Sequence, residues 1–196
     1  MARRKRVKYE FKPDVQRPVW LKRLYLTRLQ KLTLLKWSLY GVVLLLLLAV
    51  QDVIMSRVSI QGATTDLLPC AILLITVMEN VYTGSLFALI SATMFVFTGS
   101  APGPYVIAYL CFLGIGAAAF RQLYWHRSFS STVLCAGIAL MVYELAIYGT
   151  GVFLSLTYWS RIGVFALTGL ISWCLMLPLY PLIHLIQKIG GETWKE

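Results

Sequence analysis

Apolar residues in this chain come in long runs broken by short polar turns, with none of the strict alternation of half-buried strands. The first run extends from about Trp37 to Met55 and has VVLLLLLAV at its centre. The polar stretch RVSIQGATTD follows. Next come two shorter runs, about Leu67–Met78 and Val81–Thr98, parted by Glu79 and Asn80. GSAPGP, residues 99–104, is a concentrated turn signal. A fourth run covers Tyr105–Tyr124, a fifth about Ser131–Leu156 and a sixth about Ile162–Ile186. Pro178 and Pro181 predict that the sixth kinks or ends early. Roughly 20 consecutive apolar residues suffice to cross a bilayer as a helix. The pattern therefore predicts an all-α integral membrane protein.

Loop charge decides whether residues 67–98 cross once or twice. Of the 18 Lys and Arg, twelve lie in the first 36 residues: Arg3, Arg4, Lys5, Arg6, Lys8, Lys12, Arg17, Lys22, Arg23, Arg28, Lys31 and Lys36. Such an arm beside a first span belongs on the cytoplasmic side. Two crossings then place RQLYWHR, with Arg121 and Arg127, on the cytoplasmic side as well, whereas one crossing would put it outside. The expectation is six transmembrane helices in a plasma membrane, both termini cytoplasmic. It divides the chain into a basic arm (1–36), a membrane domain (37–188) and a short tail (189–196). Within the arm, VWLKRLYLTRLQKLTLLK gathers Leu21, Leu24, Tyr25, Leu29, Leu32 and Leu35 on one helical face. That stretch is either an interfacial helix or a cytoplasmic extension of the first span. Arg3, Arg4, Lys5, Arg6 and Lys8 are candidate contacts to anionic lipid headgroups. Trp37 and Tyr40 are expected to anchor the first span at the interface.

Overall composition agrees. Hydrophobic residues make up 59% and charged residues 13%, about half the charge of an ordinary soluble domain. The arm carries no nucleic-acid-binding module. Cys70, Cys111, Cys135 and Cys174 all lie in apolar runs, without CxxC spacing, and read as small hydrophobes. His126 and His184 build no ligand set with them, so neither a metal nor another cofactor is expected. No nucleophile-and-base, phosphate-loop or zinc-protease motif is present, and no enzyme is predicted.

The candidate chemistry lies in acids and small residues. Asp66 immediately precedes a run and is placed to cap a helix N-terminus. Glu79 falls in a turn, at the expected depth of lipid headgroups. Glu144 interrupts MVYELAIYGTG in mid-span, beside Tyr143, and a carboxyl there is expensive to keep. It is either hydrogen-bonded across a helix interface or part of a partner or ligand site. The sequence offers no second acid or histidine at its depth, which argues against a proton relay. In GIGAAAF, Gly114, Gly116 and Ala118 mark a face where helices approach closely, inside the molecule or toward a partner.

From about Gln61 to Leu156 the order of parts resembles the bacterial rod-shape-determining MreD family. QGATTDLL is similar to the family's polar entry into a span, with Thr65 in place of a proline. ENVYTGSLFALISA, FTGSAPGPYVIAYLCFLGIGAAAFR and the acid-bearing MVYELAIYGTGVF continue the likeness. At MFVF, residues 94–97, the chain departs from it, because the family often carries an aspartate there. The resemblance implies a scaffold of the cell-wall elongation machinery, without chemistry of its own. Its implied partners are a single-span coiled-coil protein, MreC, then RodA with its transpeptidase, and indirectly the MreB filament. Asp66, Glu79, Gly114, Ala118, Tyr143 and Glu144 become candidate contacts to a partner or ligand.

The family is similar in turn to substrate-binding subunits of energy-coupling-factor vitamin transporters, small six-span bundles that dock on an ATPase module. For that alternative, Glu144, Tyr148, Trp159 and Trp173 are candidate pocket residues. The alanines spaced four apart by which such subunits dock are missing from VVLLLLLAV.

Overall fold

A computed structural model of the chain describes residues 28–57, 59, 62–99, 101–124 and 128–189. The five headgroup candidates, Arg3 to Lys8, lie outside the described residues, as do His126 and tail residues 190–196. Six α-helices account for almost everything described: α1 (Arg28–Val53), α2 (Leu67–Met78), α3 (Val81–Phe97), α4 (Tyr105–Tyr124), α5 (Phe129–Phe153) and α6 (Ile162–Ile189). Short 3₁₀ turns, Met55–Arg57 and Trp159–Arg161, follow α1 and precede α6. The described residues contain no strand.

All twelve residues of α2 are buried, and α2 touches each of the other five helices. Its sequence, LLPCAILLITVM, is apolar all round, as a helix enclosed by protein must be. Twelve residues rise only about 18 Å, against the roughly 30 Å of a hydrocarbon core, so α2 cannot reach from face to face. The remaining helices pack around this short central rod.

Close approach to the rod depends on small residues. A Cβ on Gly84 of α3 would stand 2.7 Å from the Thr76 carbonyl oxygen of α2. A Cβ on Gly114 of α4 would stand 3.1 Å from the Thr76 methyl carbon. Between α5 and α6 the Trp173 indole lies directly on Gly137 and donates a 3.2 Å hydrogen bond to the Val133 carbonyl.

Long-range bonds show which helix ends meet. Lys36 and Tyr40 near the start of α1, the end of α2, Asn80 before α3, Arg121 and Gln122 at the end of α4 and Gln187 at the end of α6 all come together. Gln51 near the end of α1 and the start of α2 meet at the opposite end. The helices therefore run alternately up and down. Gln30–Val53, Tyr105–Tyr124, Phe129–Phe153 and Trp159–Ile189 are long and apolar enough to cross a membrane. Phe97, Phe112 and Phe153 point outward at 86%, 75% and 87% exposure, so the lateral surface is apolar like the core. A soluble monomer does not leave so much apolar surface to water.

The structure bears on three local expectations. Residues 28–36 continue α1 without a break, so this part of the arm extends the first helix. Tyr40 is fully buried in the protein, its hydroxyl donating to Glu79 just past the end of α2. The sixth helix neither stops nor breaks at Pro178 and Pro181 but runs on to Ile189. Each proline removes one backbone donor, and tight packing of the flanking turns through Met176 and Ile183 holds the helix together.

Candidate functional site

Polar groups that the sequence scatters along apolar runs are collected by the fold at the two ends of α2. At the C-terminal end, Glu79 is paired and largely buried. Its Oε1 lies 2.5 Å from Lys36 Nζ and accepts a 2.8 Å hydrogen bond from the Tyr40 hydroxyl, and both charged side chains are nearly buried. The carbonyls left free at the end of α2 are also taken up. Arg121 donates to Val77 O at 2.5 Å, and the Gln187 amide donates to Met78 O at 2.8 Å. A cation at a helix C-terminus is favoured by the helix dipole as well as by the hydrogen bond. Three helices are thereby locked onto the turn between α2 and α3. The turn is a structural clamp in which Glu79 takes part.

At the N-terminal end of α2, Asp66 occupies the cap position, yet its side chain makes no capping bond. Other helices do the capping: the Leu68 N–H donates to Gln51 Oε1 at 2.9 Å, and the Asp66 N–H donates to Ser172 Oγ at 2.9 Å. This leaves the Asp66 carboxyl beside Glu144 of α5, on the lining of the same cavity. Two carboxyl groups can hydrogen-bond to each other only through a shared proton. The sequence reading found no second acid at the depth of Glu144. The structure supplies one, because α2 begins below the end of the bundle and carries Asp66 down to it.

Glu144 is only 2% exposed, and its Oε1 is buried without a hydrogen-bond partner; the Tyr143 hydroxyl is likewise buried and unpartnered. Both acids face a cavity of about 470 Å³ roofed by the 62–66, 101–105 and 156–161 segments. Arg161 stands at its rim, Thr64 and Thr168 add hydroxyls, and Phe95, Tyr105 and Phe165 add aromatic walls. Nothing in the sequence singled out Arg161, Tyr105 or Thr168, which share no motif and meet only through helix packing. The other proposed pocket residues are elsewhere. Tyr148 donates to the Trp159 carbonyl at 3.0 Å, the Trp159 side chain is 77% exposed, and Trp173 covers Gly137.

The small-residue face divides in two. Gly114 and Ala118 turn inward, Gly114 against Thr76 and Leu73 of α2, so these two serve internal packing. Gly116, with nothing within 4 Å of a Cβ, turns outward. With Ala117 and Ala139 it lines an apolar lateral groove of about 330 Å³ between α4 and α5, edged by Phe112, Phe120 and Val142.

Among the described residues, no three His, Cys, Asp or Glu side chains gather as metal ligands. Fold and sites together define a helical bundle of membrane type with one clamped end and one polar cavity. No protein family, curated protein or solved structure matches the chain.

Proposed function

We propose that the protein is a six-helix membrane scaffold of the bacterial plasma membrane, with both termini cytoplasmic, that serves the cell-wall elongation complex by binding a single-span partner helix. The observation that carries this reading is the lateral groove between α4 and α5, whose floor of Gly116, Ala117 and Ala139 admits another backbone closely. In a bilayer such small-residue faces are where helices associate, because close van der Waals contact replaces the hydrophobic drive available in water. Resemblance to the MreD family makes an MreC-like single-span protein the occupant. Through it the wall synthase, and indirectly the MreB filament, are reached. Basic residues of the arm hold anionic lipid at the cytoplasmic face.

Gly116 has open space, so Gly116→Leu fills the groove without disturbing the bundle. The variant should remain folded and lose co-purification of the single-span coiled-coil protein. A photo-crosslinker at Val142 should capture the same protein in the wild type. Capture of phospholipid alone, or unchanged co-purification with Gly116→Leu, overturns the reading.

The vitamin-transporter alternative is favoured by one observation, the cavity beside Glu144. Against it, Tyr148, Trp159 and Trp173 do not line that cavity, and the first helix lacks the docking alanines. Co-purification of a membrane coupling subunit with two ATPases would establish it in place of the scaffold.

A further inference from the structure

The cavity at the N-terminal end of α2 is more than a packing defect. Defects in well-packed bundles are apolar and small. This space is about 470 Å³, within the range of small-molecule sites, and two carboxyl residues, Asp66 and Glu144, are part of its lining. Glu144 lines it, and its Oε1 is buried without a protein partner, where an unsatisfied polar atom is costly. Asp66 lies just before the first turn of α2, where the helix dipole favours a negative charge. The fold therefore invests in an anionic acceptor cluster at the bottom of an open space.

Three features set the chemistry of the occupant. Once ionised, the two acids offer only acceptors, so a cation with several N–H donors matches them. A primary ammonium carries three donors on a compact head, matching Asp66, Glu144 Oε1 and one of the threonine hydroxyls. The space far exceeds what a bare ion fills, and Phe95, Tyr105 and Phe165 provide walls for a carbon chain. Arg161 at the rim is placed to meet an anionic group at the other end of such a molecule.

We infer that the cavity binds a small amphoteric organic molecule, with its primary ammonium on the Asp66–Glu144 pair and its anionic end toward Arg161. If one proton is shared by the pair, its departure as the ammonium enters leaves the net charge there unchanged. The inference rests on the cavity and is independent of the partner groove.

The test uses the full-length protein in nanodiscs and reads thermal unfolding against 6-aminohexanoate, pentylammonium, trimethylpentylammonium and pentanol. 6-Aminohexanoate and pentylammonium should stabilise the protein in a saturable way, and the quaternary and neutral analogues should not. Glu144→Gln should weaken the apparent affinity for both by about tenfold or more, the scale of one charge-assisted hydrogen bond. Asp66→Asn should do the same, as a second variant of unchanged size. Arg161→Gln should weaken only 6-aminohexanoate, and Gly116→Leu neither. Equal response to primary and quaternary cations, no response to any probe, or full binding in both acid variants overturns the inference and leaves the pair as a proton-sharing structural bond.

Discussion

At the scale of single residues, what decides each acid's role is the company that packing brings to it. Glu79 and Lys36 form a nearly buried ion pair with Tyr40 as a further donor. Removing one partner of such a pair strands the other charge, which costs more than the pair contributes. Glu79→Ala should therefore lower stability by about 3 kcal/mol. Lys36→Met in the same chain should recover part of that loss. Thermal unfolding in detergent of the two single variants and the double variant measures the coupling, and additive effects would show that the contact carries no weight. Glu144 presents the opposite case, since one of its oxygens is left without any protein partner.

At the scale of elements, the helices are close because glycine permits it, and only at particular positions. Gly84 and Gly149 both lie inside helices, yet their surroundings differ. A methyl at Gly84 runs into the Thr76 carbonyl, which is helix backbone and cannot yield, whereas at Gly149 nothing lies within 4 Å. Gly84→Ala should destabilise the bundle by about 1–3 kcal/mol as an overpacked contact. Gly149→Ala should be neutral or stabilising by up to about 1 kcal/mol, from helix propensity. Comparing the two midpoints separates packing from propensity, and similar shifts would refute the assigned approach of α3 to α2. Most helix boundaries were legible beforehand, because 105–124 and 67–78 are apolar runs closed by Gly, Pro, Asp and Glu. The course of α6 through two prolines was not, because proline's cost depends on how neighbouring helices support the flanking turns.

At the scale of the whole molecule, alternation of helix ends gives a definite topology. Lys36, Glu79, Arg121 and Gln187 share one end, and Asp66, Arg161 and the 154–158 turn share the other. On the proposed topology, with the basic arm inside, the second end would face outward. A cysteine placed at exposed Ser155, in a chain whose four native cysteines are replaced by alanine, should react with a membrane-impermeant maleimide on intact cells. A carboxy-terminal tag should be reached only after permeabilisation. The reverse labelling pattern would invert the bundle and place the Asp66–Glu144 cavity on the cytoplasmic side.

The amino-acid sequence by itself determined the all-helical class and the number of apolar segments, four of them long enough to cross a membrane. These follow from hydropathy and turn chemistry, which act over a few neighbouring residues. It also showed that Glu144 is out of place. Only the tertiary structure decided what that acid meets. Asp66 lies 78 positions earlier in the chain, and the two are joined because α2 is too short to reach the end of the bundle. The same holds for Gly114 and Gly116, which are two residues apart and turn to opposite surroundings. A helix's pattern fixes its faces, but which face meets which neighbour depends on how all six pack together.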